Sequence, residues 1–150
     1  MGHLVDVTGA IITALFERLR DDTTLAALMG EAWPGPHARL PEDPPFPYIH
    51  HRLASLEGAD NATRPATYTV EIWDWGENQQ RLWAIRGRLM ALLDMARVNV
   101  PGQGVLRLWF ASETPLPNAD RNVLTTALVF AARYARAGEV RNITQEKGTP

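Results

Sequence analysis

Residues 66–75 read Ala-Thr-Tyr-Thr-Val-Glu-Ile-Trp-Asp-Trp, and this stretch decides the fold. Its side chains alternate, which is typical of a β-strand with one buried face. One face carries Tyr68, Val70 and Ile72, and the other carries Thr67, Thr69, Glu71, Trp73 and Trp75. Gly76 ends the strand. The stretch therefore predicts a half-buried strand whose tryptophans lie on the face away from the core.

The residues before this strand predict a partner strand and a long connector. Residues 48–53 predict the partner strand, and the polar stretch 55–65 predicts a loop that is long for a hairpin. The segment 33–47 contains six prolines, which remove backbone donors and fix φ, so neither a helix nor a central strand fits it. We expect this segment to be an extended connector on the surface.

The N-terminal residues predict helical structure. Apolar residues recur at helical spacing and predict a first helix over about 8–20, with Asp6 or Thr8 as its cap. Asp22 then starts a short helical turn, and Gly30 suits the residue of positive φ that ends it.

The residues after the central strand predict a long helix and a second strand pair. Asn78 can cap a helix that runs to about residue 96. Its apolar stripe consists of Leu82, Ile85, Leu89, Leu92 and Leu93. Residues 105–112 predict a strand with Trp109 opposite its apolar face, 115–120 a turn, and 122–134 a last long strand.

These elements predict an α+β fold with the order α-β-β-α-β-β. An antiparallel sheet of about four strands is packed on one face by two amphipathic helices. Residues 1–136 form a single domain, and 137–150 are a polar C-terminal extension without apolar periodicity. Tryptophans on a sheet face that no helix covers expose more apolar area than a solvated face should, so we expect a partner subunit to cover it.

The composition excludes several function classes. The chain has no cysteine, which excludes disulfides and thiolate metal sites. Its formal net charge is -2, so the overall charge does not indicate binding to nucleic acid or to an anionic membrane. The N-terminus has no features of a signal peptide, and no stretch is apolar for long enough to span a bilayer.

The titratable residues form no catalytic or metal-binding pattern. His50 and His51 are neighbours on a strand and point to opposite faces, so they cannot chelate one metal together. Asp74 and Glu77 lie at a strand-to-helix turn, where such carboxylates are usually solvated caps. Three arginines on the long helix could contact phosphates, but solvation or ion pairing is the commoner role for Arg81, Arg86 and Arg88.

The order of several short motifs resembles one known family. A proline-rich connector ends in Pro45-Phe-Pro-Tyr-Ile49, an alternating strand ends in Val70-Glu-Ile-Trp-Asp74, and a helix opens with Gln79-Gln-Arg-Leu-Trp-Ala-Ile85. Together with the first helix and the last long strand, this resembles the tail-completion or tail-terminator family of long-tailed phages and gene transfer agents. The resemblance covers about residues 8–134.

The resemblance implies a structural virion protein without catalytic residues, metal or cofactor. It implies an α+β subunit of a ring, hexameric in this family, that caps the tail tube and meets the head-side connector. Genome DNA would pass through the lumen without specific binding, and no membrane is involved. The location implied is the tail or neck of a virion assembled in the host cytoplasm. Two alternatives remain: a head–tail joining (stopper or neck) protein, and a small cytoplasmic binding domain or enzyme.

We expect three regions to contribute to a subunit or partner interface. The uncovered sheet face contributes Thr69, Trp73, Trp75 and Trp109. The loop 55–65 should reach toward the tail tube or the connector with Glu57, Asp60, Asn61 and Arg64. The C-terminal extension should lie across an adjacent subunit, with Arg136 and Arg141 pairing with its carboxylates.

Overall fold

The computed structural model describes residues 3–55, 63–117 and 120–136. The α-helices are α1 (His3–Arg20), α2 (Thr23–Met29) and α3 (Gln79–Leu93), and a 3-10 turn (Gly76–Asn78) precedes α3. The strands are β1 (Tyr48–Ser55), β2 (Thr63–Trp75), β3 (Arg97–Val100), β4 (Gly104–Thr114) and β5 (Val123–Arg136).

All five strands form one antiparallel sheet in the order β1-β2-β5-β4-β3. The strict alternation of β2 places Tyr68 opposite Phe130 and Val70 opposite Leu128 of β5, and all four side chains are buried. The apolar stripes of the helices pack onto this sheet face. They bury Ile11, Leu15 and Leu19 of α1, Leu25 and Met29 of α2, and Leu82, Ile85, Leu89 and Leu93 of α3. The core therefore lies between the helices and one face of the sheet.

The predicted α+β class and the hairpin pairings are correct, but the count of four strands is wrong. The fifth strand, β3, occupies residues 97–100, which the sequence assigned to no element, and α3 ends at Leu93 and not near residue 96. Asp94 has an extended backbone, and Met95 has a φ of 59°. The Asp94 carboxylate accepts the Phe110 backbone N–H at 2.8 Å, which fixes this sharp exit against β4.

Helix starts also differ from the prediction. Asp6 and Thr8 lie inside α1, because the helix already begins at His3. Asp22 caps α2 as expected and accepts the Leu25 N–H at 2.8 Å. Asn78 occupies the cap position of α3, but its side chain makes no capping hydrogen bond.

Three ion pairs attach α3 to the rest of the fold, which confirms ion pairing as the role of its arginines. Arg81 contacts Asp74, Arg86 contacts Glu113 and Arg88 contacts Asp22, at 2.6–2.7 Å. Asp74 is fully buried and accepts both Nε and Nη2 of Arg81. The expectation that it is a solvated cap is therefore wrong, because it turns inward with the core face of β2.

A β-bulge at Ala111 changes which side chains of β4 face the core. Before the bulge, Phe110 lies opposite Phe130 on the core face. After it, Glu113 lies opposite Leu128 and therefore points to the helix side. There Glu113 accepts the Thr126 hydroxyl at 2.7 Å and pairs with Arg86 of α3.

Candidate assembly surface

The sheet face opposite the helices, called the open face here, carries the tryptophans that the sequence placed there. Trp73 lies opposite Tyr48 of β1 and Thr125 of β5, and Trp109 lies opposite Ala131. All of these residues point away from the core. The odd-numbered positions of β2, and those of β4 before its bulge, face the open side of the sheet. The alternation of the sequence thus located the face correctly.

Four aromatic rings form a continuous cluster at one corner of the open face, and we call it the aromatic corner. Tyr48 stacks on Trp73 with centroids 5.8 Å apart and planes 6° apart. Phe46 stacks on Tyr48 at 5.6 Å and contacts Trp75 at 5.8 Å. Phe46 is 39% exposed and Trp75 is 36% exposed. The corner thus presents a partly exposed apolar surface of the kind that is enriched in protein interfaces.

The connector brings Phe46 to this corner. His37 pairs with β1, since its N–H donates to the Ile49 carbonyl and its own carbonyl accepts the His51 N–H. The peptide bond between Phe46 and Pro47 is cis. The connector therefore runs beside the free edge of β1 and returns into β1 at Tyr48.

A buried carboxylate fixes the polar side of the aromatic corner. Glu71 is 7% exposed and is reached by Nδ1 of His50 at 3.2 Å, by Nη1 of Arg52 at 2.6 Å and by Nε1 of Trp73 at 3.3 Å. Burial raises the pKa of the Glu71 carboxyl, but these hydrogen bonds outweigh burial and leave that pKa below its usual value. The carboxylate therefore stays charged and holds the indole of Trp73 in place.

The other predicted interface residues are distributed differently. Thr69 lies on the open face but is only 7% exposed, so it offers little contact area. Trp109 is half-buried, and the Arg107 guanidinium lies 5.6 Å from the centre of its ring. Arg136 is exposed at the end of β5 opposite Gly104, and Arg64 belongs to β2 opposite Tyr134. Glu57, Asp60, Asn61 and Arg141 lie outside the described residues, as does the predicted extension 137–150.

Sequence reasoning missed two exposed aromatic residues of the described chain, Phe46 in the aromatic corner and Trp83 of α3. Trp83 is 62% exposed and belongs to α3, which packs on the sheet face opposite the open face through Leu82 and Ile85. Its position next to Leu82, off the apolar stripe, was the available signal.

His50 and His51, neighbours on β1, point to opposite faces of the sheet, as the alternation predicts. His50 lies on the open face, and His51 lies on the core face, where its Nδ1 shares a hydrogen bond of 2.6 Å with the Tyr68 hydroxyl. Burial, with smaller contributions from His50 and His37, lowers the pKa of His51 to about 4. Within residues 3–55, 63–117 and 120–136, no three potential ligands among His, Asp and Glu are grouped to hold a metal ion.

Two open grooves lie away from the aromatic corner. One, of about 460 Å³, is lined by residues of α2 and the connector such as Ala27 and Trp33. The other, of about 520 Å³, follows the turn between β3 and β4. No helix in the described part of the chain is long and apolar enough to cross a membrane.

Solved structures share the fold of this chain. A chain in the virion of a native gene transfer agent particle is 23% identical, with a TM-score of 0.68, and the match covers 85% of this chain and 96% of that chain. A second solved structure is 14% identical with a TM-score of 0.55, over 84% of this chain and 94% of the other. No curated protein sequence matches the chain.

The family follows from the sequence match. The family model of tail completion protein gp17 matches residues 13–135, and the chain belongs to this family. It is thus a structural protein of the phage tail, located in the virion and assembled there with other tail proteins. The family suggested by the proline-rich connector, the Trp73 strand end and the opening of α3 is confirmed.

Proposed function

We propose that the chain is a subunit of a ring, with six copies as the expected number, that terminates the tail tube and joins it to the head-side connector. The observation that carries this proposal is the aromatic corner: Phe46 and Trp75 stay more than a third exposed within an ordered stack. Membership in the tail completion family supports the position in the particle. The role is structural and involves no catalysis, cofactor or metal.

The aromatic corner suits a subunit interface better than a ligand pocket. Its rings lie on an open sheet face and at the edge of β1, where a second protein can reach them. Glu71 uses its oxygens on His50, Arg52 and Trp73, so it is already satisfied and is not available to a substrate. Covering such rings removes apolar surface from water, which is the main favourable term in protein association.

Purified components separate this function from its alternative. Tails assembled without this chain should lack a terminal ring and fail to join filled heads, and added chain should bind the tails and restore joining. The head–tail joining alternative predicts that the added chain binds purified heads first. A reconstruction of the particle showing no rotational symmetry around this chain would contradict the ring.

The regions outside the described residues have a role in the same proposal. The predicted loop bounds of 55–65 are too wide, because β1 extends to Ser55 and β2 begins at Thr63. We expect the remaining residues 56–62 to reach along the particle axis to the tail tube or connector, and the extension 137–150 to lie on an adjacent subunit. We expect genome DNA to pass through the lumen without specific binding. A strongly basic lumen would hold the DNA by its phosphates and hinder this passage.

A further inference from the structure

The long helix α3 exposes a tryptophan on its outer side, away from the sheet. Trp83 is 62% exposed, which is the largest exposure among the five tryptophans of the chain. The next most exposed, Trp75, belongs to the ordered stack of the aromatic corner. An indole that stays in water leaves a large apolar surface uncovered, so a partner that covers Trp83 gains free energy of association.

The outer side of α3 carries no charge. Every exposed residue of this helix, which is described over its whole length, is uncharged, although the helix contains three arginines. The arginines are only partly exposed, and each pairs with a carboxylate of its own subunit at 2.6–2.7 Å. Two identical faces of this kind can meet without repulsion between like charges. We call this surface the α3 face, and it consists of Gln80, Trp83, Ala84, Gly87 and Ala91.

Gly87 leaves a gap in the α3 face one turn after Trp83. Residues four apart in an α-helix lie about 6 Å apart along its axis and share one side of it. A side chain at position 87 would meet no atom within 4 Å, and the φ of Gly87 is not positive. Glycine inside a helix is less favourable than alanine. The packing of the subunit therefore gives no reason for this glycine, whereas close approach of a partner does.

We infer that two free copies of this chain pair through their α3 faces about a two-fold axis, with Trp83 of each copy packed over Gly87 of the other. In an antiparallel helix pair whose axis passes between these two positions, residue 83 of one copy lies level with residue 87 of the other. The same contact then forms twice, as a two-fold interface requires. The absent side chain at position 87 gives each indole room to lie against the helix backbone of the other copy.

A second copy is the occupant that the α3 face itself specifies. Both halves of the contact, the indole and the gap, are present on every subunit, one helical turn apart. A charged partner such as nucleic acid would find no free cation on this helix, because Arg81, Arg86 and Arg88 are all paired.

The pairing should be weak, and it is separate from the proposed ring. One helix from each copy covers much less than the roughly 1,200 Å² that stable interfaces bury, so the dimer should form and dissociate readily. Neighbours in a six-fold ring are not related by a two-fold axis. The contact therefore joins subunits that have not entered a ring, and it leaves the open face accessible.

Sedimentation equilibrium of the purified chain measures this pairing. The mean mass should rise with concentration, up to about 1 mM, from one subunit toward two. Trp83→Ala should raise the dissociation constant at least tenfold. Trp73→Ala, which exchanges a tryptophan of the open face instead, is the matched control and should pair like the wild type. Its mean mass should approach two subunits and stop there, because a two-fold contact is saturated in the dimer.

Filling the gap at position 87 supplies a second arm. Gly87→Leu should raise the melting temperature of the dilute monomer, because leucine favours a helix and the space around it is open. It should nevertheless weaken pairing at least tenfold. Gly9→Leu is the matched control, since Gly9 is an exposed glycine of α1 whose side chain would also meet no atom within 4 Å. This control should raise the melting temperature and leave pairing unchanged.

Mixing the two variants tests the reciprocal geometry. The Trp83→Ala chain keeps an open gap and lacks the indole, whereas the Gly87→Leu chain keeps the indole and has a filled gap. An equimolar mixture should therefore pair more strongly than either chain alone, because the leucine fills the space that the indole has vacated. A mixture that pairs no better than its separate components would overturn the reciprocal contact.

The remaining outcomes separate this inference from the proposed function. A wild-type chain that stays monomeric up to about 1 mM, or variants at positions 83 and 87 that pair normally, would overturn the dimer. Trp73→Ala masses that grow beyond two subunits would indicate a head-to-tail contact and also overturn it. Loss of head–tail joining in Trp83→Ala, with a monomeric wild type, would assign the α3 face to another virion protein. Ring formation on tails is scored separately and should be normal in Trp83→Ala.

Discussion

Tyr48 and Trp73 face each other across β1 and β2 with nearly parallel rings, and Nε1 of the indole donates to Glu71 on the same strand. The stack and the hydrogen bond fix Trp73 in one orientation within the subunit. Its neighbours Phe46 and Trp75 extend the apolar surface outward from that fixed point. A partner that covers the aromatic corner therefore meets a preformed surface, which reduces the entropy lost on association.

Replacing the central ring of this corner should damage assembly more than folding. Trp73→Ala removes the stack with Tyr48, and we expect the monomer to melt cooperatively with a free energy of unfolding lower by about 1–2 kcal/mol. Ring formation on tails should be lost. Calorimetry of the monomer and electron microscopy of tails measure the two effects.

Trp83→Ala is the matched control for Trp73→Ala, because this tryptophan is exposed on α3 away from the open face. It should leave both melting and assembly unchanged. A Trp73→Ala monomer that no longer folds would mean that this ring belongs to the subunit's own core.

The ion pair between Asp74 of β2 and Arg81 of α3 should be the one whose loss lowers the free energy of unfolding the most. Asp74→Ala leaves Arg81 without its partner and the Trp75 N–H without its acceptor, so we expect a loss of about 3–5 kcal/mol in the free energy of unfolding. Urea unfolding measures the loss. Arg86→Ala, which breaks the more exposed pair with Glu113, should cost clearly less, and equal losses would contradict the distinction.

The buried histidine should make the subunit sensitive to acid. The pKa of His51 is about 4 in the folded chain and about 6.5 in the unfolded chain. Between pH 4 and pH 6.5 the unfolded state binds more protons than the folded state. The contribution of His51 to the free energy of unfolding is therefore complete above about pH 6.5 and is lost as the pH drops toward 4. The shift corresponds to at most roughly 3 kcal/mol.

Urea unfolding from pH 7 to 4 measures this effect. In the variant His51→Gln, which removes the titrating ring, the part of the acid loss due to His51 should disappear, although the variant is less stable at pH 7. An unchanged slope in that variant would assign the acid loss to other groups, such as His37, whose pKa burial also lowers.

The C-terminal extension provides a prediction made from sequence. Deleting residues 138–150 should leave the fold and the circular dichroism spectrum of the subunit intact, because their polar composition supplies no core residues. The yield of joined heads and tails should fall modestly, since exposed ion pairs add only about 0.2–1 kcal/mol each. Full infectivity with the truncated chain would show that the extension has no role in joining.

The sequence predicts the long elements and the open face well because they depend on local periodicity. The alternation of β2 places Trp73 on the correct face, and the stripe of α3 identifies Leu82, Ile85 and Leu89 as core residues. β3 is not predicted from the sequence because no glycine or proline separates its four residues from the preceding helix. The chain turns there through Asp94 and Met95 instead.

The rest of the candidate surface depends on contacts that are distant in sequence. Phe46 reaches Trp75 only because the connector pairs beside β1, and no local pattern specifies that pairing. The alignment of Arg97, Arg107 and Arg133 on neighbouring strands requires the registers of β3 with β4 and of β4 with β5, and it could not be recognised before β3 was known.

The bulge at Ala111 has a consequence for how this chain tolerates insertions and deletions. Phe110 and Glu113 are three positions apart and would point to opposite faces of a regular strand, but the extra residue puts both on the helix side. Deleting Ala111 alone would make the pairing regular and leave Glu113 opposite Leu128, so Arg86 would keep its partner. Deleting Ala111 and Ser112 together would turn Glu113 to the open face, on the same surface as Arg107. At this position the chain should therefore tolerate the loss of one residue and not of two.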